Sequence, residues 1–200
     1  MIAFVRHGQT AVNRAGQLQG RFDAPLTPEG DAQVARVAAA VAQGTPPKRI
    51  VTSPLVRARS TAEAIAGPCG LAIEVDDRLV EIDYGEWDQR GLADLPADAW
   101  TAWRASPSFT PPGGESLEMV TARIVEFCVE RVDEWRDDLV IAVSHVSPIK
   151  AAVCWALGTD ETATWRMFLE LASITRVGWR GEAGGSPYLA SFNETSHLRV

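Results

Sequence analysis

Residues 1–10 read Met1-Ile2-Ala3-Phe4-Val5-Arg6-His7-Gly8-Gln9-Thr10. Four apolar residues run directly into a guanidinium and an imidazole. The run predicts a short buried strand over 2–5 that delivers Arg6 and His7 at its C-terminal end. Gly8 then frees the backbone to turn sharply and to approach whatever binds there. Open α/β sheets build their sites at the carboxyl ends of strands. The question for the other 190 or so residues is which further strand ends join this one.

Two stretches repeat the arrangement. Residues 49–52 predict a second short strand, followed by Ser53-Pro54, a cap-and-proline signal for a helix running to about Ala66 with Arg57 in its first turn. Gly67-Pro68 and Gly70 break that helix. Residues 139–143 form a continuous apolar run, the pattern of a central parallel strand covered on both faces, and lead into Ser144-His145. Ser147-Pro148 opens the next helix.

The remaining segments fit the same plan. Residues 11–26 read as a polar loop, and Thr27-Pro28-Glu29 starts a helix whose Val34, Val37, Ala38 and Val41 face the sheet. Residues 72–75 suggest a third strand. Residues 80–115, rich in Gly and Pro, read as a partly helical excursion over the sheet edge. Its Trp100, Trp103 and Phe109 either roof a pocket or pack the excursion onto the body. Ser116 caps a long helix over 116–136, and 168–179 with 187–193 suggest an antiparallel pair at an edge. The alternation predicts a three-layer α/β/α sandwich with a mostly parallel central sheet, in one domain spanning 1–200.

Composition narrows the partners. The chain has 200 residues, 46% hydrophobic and 22% charged, with a net charge of -7. An acidic protein is a poor ligand for nucleic acid or an anionic membrane surface. No apolar run approaches a membrane span, and the first is too short for a signal peptide. Cys69, Cys128 and Cys154 are scattered and odd in number, which suits thiols in a reducing compartment and a cytoplasmic location.

If the three strands are parallel neighbours, Arg6, His7, Arg57 and His145 converge, with helix N-termini beside them. Two forked guanidiniums and two imidazoles favour an anion, phosphate in particular. A neutral imidazole can attack phosphorus in line, and neighbouring arginine charges disfavour its protonation. The leaving oxygen needs a proton. Glu81, between the apolar Val80 and Ile82, is the leading candidate, Asp83 is its rival, and Glu115 is a fallback.

These residues carry a resemblance to the histidine phosphatase superfamily, the phosphoglycerate-mutase-like group. The matching series is Arg6-His7-Gly8-Gln9-Thr10 with Asn13; Asp23-Ala24-Pro25-Leu26-Thr27 with Gly30; Ser53-Pro54-Leu55-Val56-Arg57-Ala58 with Thr61; Glu81 with Gly85 and Trp87; Gly113-Gly114-Glu115-Ser116; and Ser144-His145. The ordered set spans most of the chain. It implies a phosphoglycerate-mutase-like fold with His7 as the phosphorylated nucleophile and Arg6, Arg57 and His145 holding the phosphoryl group. Glu81 is implied as proton donor, then as base for water. Asn13 and Gln19 match positions that often touch phosphate or substrate, and Val146 is carried over with them. No metal or organic cofactor is implied. Three departures stand out: Val146 where many members have Gly, Lys150 where Arg is common, and Gln89 in place of a frequent Gly.

The runs 111–116 and 144–150 are most similar to α-ribazole-phosphatase-like members. The expected activity is hydrolysis of a small phosphorylated metabolite, such as α-ribazole 5'-phosphate or a sugar or glycerate phosphate. A phosphoglycerate-type mutase is the alternative, although residues 82–144 offer only Arg90, Arg104, Arg123, Arg131 and Arg136 as cations. A non-catalytic phosphate-binding module ranks last, since no member of the core set is missing. The strand at 168–179, at an edge, could pair with a second chain as a homodimer.

Overall fold

Ile2, Ala3, Phe4 and Val5 are fully buried in strand β1 (Ile2–Arg6), with neighbours hydrogen-bonded on both sides. The computed structural model describes residues 1–181 and 185–199. In chain order the elements after β1 are α1 (Ala11–Arg14), α2 (Pro28–Gln43), β2 (Arg49–Thr52), α3 (Val56–Cys69), β3 (Ile73–Val75) and α4 (Ala97–Ala105). Then follow α5 (Leu117–Glu130), α6 (Val132–Trp135), β4 (Val140–Ser144), α7 (Val146–Leu157), β5 (Ile174–Arg180) and β6 (Ser186–Glu194).

The sheet runs β3-β2-β4-β1-β5-β6. The β3-β2, β2-β4 and β4-β1 pairs are parallel; β1-β5 and β5-β6 are antiparallel. Alternation along each strand sends side chains to two separate cores. Ile2, Phe4, Val140 and Ala142 pack with Ile124, Phe127 and Ile149 of α5 and α7. Ala3, Val5, Ile141 and Val143 pack with Val37, Val41, Ala62 and Ile65 of α2 and α3. Two cores on one sheet give the expected three layers.

Register then levels the strand ends. Arg6 pairs with Ser144, and Thr52 and Val5 both pair with Val143. His7 and His145 therefore leave the sheet level with each other, and Ser53 leaves it one residue earlier, level with Arg6 and Ser144. The His7 N–H donates to the Ser144 carbonyl at 3.1 Å, and the Ser53 N–H to Val143 at 3.0 Å.

Several local expectations change. The strand sought at 168–179 begins only at Ile174 and lies between β1 and β6, so the edge belongs to β6. Residues 168–173 instead turn, with Ala172 at φ 53°. Helix α3 starts at Val56, and Ser53 does not cap it. The Asp23 carboxylate accepts the Val56 N–H at 2.8 Å, so a residue from the preceding loop supplies the cap. That helix also runs through Gly67-Pro68 and ends on Gly70 in the left-handed conformation. Helix α7 begins at Val146 with His145 at its cap, and Pro148 sits in the first turn. The long helix breaks at Arg131 into α5 and α6. The loop 11–26 contains α1, closed by a reciprocal Thr10–Asn13 capping box.

Gly8 has a different use from the one its position suggests. A Cβ there would lie 2.6 Å from the Gly30 carbonyl oxygen, and one at Gly30 would lie 2.2 Å from that of Gln9. The two glycines let the chain after His7 press against the first turn of α2, with no turn at positive φ at Gly8. The excursion at 80–115 consists of short 3-10 turns and α4.

Candidate active site

His7 is 3% exposed and His145 fully buried, with ring centroids 5.0 Å apart. His7 Nδ1 lies 2.7 Å from the Gly8 carbonyl oxygen. A carbonyl only accepts, so Nδ1 carries the proton and Nε2 keeps the lone pair. His145 Nε2 lies 2.8 Å from Ser53 Oγ, which also accepts the Leu55 N–H at 3.4 Å. With Ser53 donating its hydroxyl hydrogen to Nε2, the His145 proton sits on Nδ1, a buried atom without a protein partner among the described residues.

Arg57 is fully buried in the first turn of α3. Its Nη1 donates to the Phe22 carbonyl at 3.0 Å and its Nη2 to Gly20 at 2.8 Å, which pins the loop before α2. Arg6 Nη1 donates to the Leu169 carbonyl at 2.5 Å. The Nε of each arginine is buried and has no partner among the described residues. Three donors without protein acceptors, Arg6 Nε, Arg57 Nε and His145 Nδ1, thus belong to three residues gathered about His7. Unmet buried donors cost free energy unless a ligand supplies acceptors.

Glu81 is 3% exposed. Its apolar flanks are buried, but its carboxylate faces a polar trio. It accepts the N–H groups of Ile82 at 2.8 Å, Val146 at 3.1 Å and Ser147 at 3.1 Å. The donors from Val146 and Ser147 are the open end of α7. Glu81 also partly offsets the burial that pushes the Arg6 and Arg57 guanidiniums below their ordinary range. The other carboxylates are occupied elsewhere. Asp83 accepts the Gly85 N–H at 2.8 Å in a turn, and Glu115 pairs with Arg123 at 2.9 Å.

Asn13 and Gln19 lie in the loop that Arg57 pins. The Asn13 carbonyl oxygen accepts the Thr10 N–H at 3.1 Å. Gln19 takes the Thr10 hydroxyl at 2.6 Å and donates to the Phe22 carbonyl at 3.4 Å, the same oxygen that Arg57 holds. Sequence reasoning saw Ser53 and Ser147 only as helix starts that lend N-terminal N–H groups to the site, and gave Tyr84 no role there. Tyr84 is buried, and burial raises its hydroxyl above the usual range. Ser53 was readable in principle, as a hydroxyl one residue past a strand end. Tyr84 reaches the site through the excursion, which carries no periodic signal. Among the described residues no group of three His, Cys, Asp or Glu is placed to hold a metal ion.

Burial pushes both imidazoles well below their ordinary 6.5. Arg57 and Arg6 push His7 further, while its bond to Gly8 opposes them. Desolvation therefore leads, and the arginine charges anticipated from sequence come second. The consequence for stability has a definite sign. Unfolded, each histidine binds a proton near pH 6.5; folded, it stays neutral to lower pH. Below about pH 6.5 the unfolded chain holds more protons, so stability falls with pH, by up to ~1.4 kcal/mol per pH unit for each histidine. In phosphate-free buffer, Tm should drop from pH 7.5 to 5.5, and His7→Gln should show a smaller drop. Equal drops would mean that His7 does not enter the folded state uncharged.

The comparisons with known proteins bear on this geometry. A family model described as histidine phosphatase superfamily (branch 1) matches residues 2–194. A Cronobacter sakazakii protein named "Probable phosphoglycerate mutase GpmB" is 35% identical over 95% of this chain and 88% of its own. The Mycobacterium tuberculosis bifunctional protein Rv2228c is 32% identical over 98% of this chain but 54% of its own, so the chain spans about half the length of that relative. Among solved structures, mycobacterial glucosyl-3-phosphoglycerate phosphatase Rv2419c with inorganic phosphate superposes with a TM-score of 0.85 at 29% identity, covering 99% of both chains. Among the described residues no helix is long and apolar enough to cross a membrane.

Proposed function

The chain belongs to the histidine phosphatase superfamily, and from that premise we propose that it hydrolyses small phosphomonoesters through a phosphohistidine on His7. The observation that carries the reading is the pairing of one lone-pair nitrogen, His7 Nε2, with the three unpartnered donors Arg6 Nε, Arg57 Nε and His145 Nδ1. On this reading Nε2 attacks phosphorus and the P–O bond to the leaving group breaks. The donors balance charge on the equatorial oxygens. Glu81 gives the leaving oxygen its proton. It then takes one from water, which attacks phosphorus, breaks the N–P bond and releases inorganic phosphate with His7 restored.

Asn13 and Gln19 are proposed as substrate-side residues. The Asn13 carbonyl already serves Thr10, so its amide N–H₂ would make the contact. Val146 would meet the leaving group with its side chain, since its N–H is held by Glu81. The whole of 1–200 is read as one such domain, acting in the cytoplasm, and β6 is the edge available for a homodimer. The GpmB relative supports a second reading, a mutase that returns the phosphoryl group to a sugar acid. Assaying a panel of phosphorylated metabolites for phosphate release, and phosphoglycerates for interconversion with bisphosphoglycerate present, separates the two. Interconversion without phosphate release would replace the phosphatase reading.

The role of Glu81 has its own test. Glu81→Gln should slow esters with poor leaving groups by about 10²–10⁴-fold while sparing 4-nitrophenyl phosphate, whose leaving group needs no proton. Equal slowing of both would reduce Glu81 to an anchor for the start of α7.

A further inference from the structure

Glu81 stands in no helix or strand. Residues 81–84 are irregular, between 3-10 turns at Asp77–Leu79 and Gly85–Trp87. His7 and His145, by contrast, directly follow the ends of β1 and β4. A carboxyl that must meet a leaving oxygen needs a fixed backbone, and here no helix or sheet ladder supplies one.

Side chains from elsewhere do. On the side before Glu81, Ser144 Oγ donates to the Leu79 carbonyl at 2.6 Å. Arg123 of α5 donates through Nη1 to the Arg78 carbonyl at 2.6 Å and the Val80 carbonyl at 2.7 Å. The Val80 carbonyl shares a rigid peptide plane with the Glu81 nitrogen. On the side after Glu81, the Glu115 N–H donates to the Asp83 carbonyl at 2.8 Å, and Glu115 Oε2 accepts the Asp83 N–H at 3.2 Å. Arg123 then closes the frame. Its Nε and Nη2 donate to Glu115 Oε1 and Oε2 at 2.9 and 3.1 Å, a forked pair. One guanidinium thus ties together the backbone on both sides of Glu81.

The frame is built closely. A Cβ at Gly114 would lie 2.5 Å from the Asp83 carbonyl oxygen, and one at Gly85 2.1 Å from that of Pro112. Gly114 and Gly85 therefore let the two segments touch, which gives the run Gly113-Gly114-Glu115-Ser116 a use. The Arg123 and Glu115 side chains are 15% and 11% exposed. Burial works to raise the Glu115 carboxyl, and the hydrogen bond and charge of Arg123 overcome it, so the pair stays ionised. Arg21, at 3.4 Å from Glu115 Oε2, is a more exposed third partner. An ion pair this buried gains little net stability over apolar side chains of its size, so geometry accounts for it better.

We propose that Arg123 and Glu115 are positioning residues for the proton-transfer step, holding the backbone on both sides of Glu81 so that its carboxyl reaches the leaving oxygen. The proposal rests on the reading of Glu81 as proton donor.

The test uses 4-nitrophenyl, phenyl and benzyl phosphate, esters of similar ring size whose leaving groups need progressively more help from an acid. The readout is kcat/KM for benzyl phosphate divided by that for 4-nitrophenyl phosphate, with phenyl phosphate between them. A ratio within one enzyme sample is not moved by partial misfolding. Arg123→Met should lower it by about 10- to 100-fold, the scale of a misplaced general acid. Glu81→Gln should lower it on its own, and adding Arg123→Met to Glu81→Gln should lower it by no more than about twofold further, because the arginine acts through the carboxyl. Should Arg123→Met fail to fold, Arg123→Lys decides. A single ammonium cannot hold two carbonyls and both carboxylate oxygens, so the ratio should fall there too. Equal losses on all three esters in the Arg123 variants, or losses that multiply with those of Glu81→Gln, would overturn the proposal and leave Glu81 as the acid. A ratio unmoved by Glu81→Gln would remove both.

Discussion

His7→Ala is expected to lose at least ~10⁴-fold in kcat on 4-nitrophenyl phosphate, the scale seen when a nucleophile is removed from a preorganised site. The expectation follows from tautomer and place. The Gly8 carbonyl holds the proton on Nδ1, so Nε2 is the available nucleophile. His145 cannot substitute, because its Nε2 is engaged by Ser53 and its ring sits 5.0 Å away, centroid to centroid. Arg6, Arg57 and His145 all remain in the variant, so inorganic phosphate should still raise its Tm. Loss of turnover with phosphate binding retained is the expected pair of results, read by steady-state kinetics and thermal shift. Turnover near the wild-type level would exclude His7 as nucleophile.

Arg57→Lys should cost about 10²–10³-fold in kcat/KM despite keeping the charge. The three guanidinium nitrogens have separate tasks. Two nitrogens hold the Phe22 and Gly20 carbonyls, and the third, Nε, is the unpartnered donor. An ammonium is a single centre and cannot span both carbonyls and a phosphoryl oxygen. The variant should also lose roughly 1–3 kcal/mol of stability, the cost of one buried carbonyl left unmet. Chemical denaturation measures that loss and kinetics the first. A variant with ordinary kcat/KM and lowered stability would make Arg57 a brace for the loop alone.

How much of this was legible before the structure differs from residue to residue. The four-residue apolar run before Arg6 and the five-residue run before Ser144 located β1 and β4 to within a residue. Strand ends are chemically sharp when an apolar run meets charged or imidazole side chains, so His7 and His145 were also legible. Arg57 was found for a partly wrong reason. Ser53 was read as its helix cap, whereas Asp23, 33 positions before Val56, does the capping and leaves Ser53 to orient His145. A cap supplied across that separation leaves no local pattern. Register cannot be read from one strand alone, so the edge assigned to 168–179 moved to β6 once β5 paired on both sides. Glu81 was located by its neighbours, but its three backbone donors come partly from α7, 65 and 66 positions away.

The most direct test of the central claim is to trap the intermediate. The enzyme would be mixed with an excess of ³²P-labelled substrate, quenched in alkaline denaturant and digested for mass spectrometry. The account predicts an acid-labile, alkali-stable phosphoryl group on the peptide that carries His7, absent from His7→Ala and chased away by unlabelled substrate. A label on any other residue, or none while phosphate is still released in a burst, would contradict it.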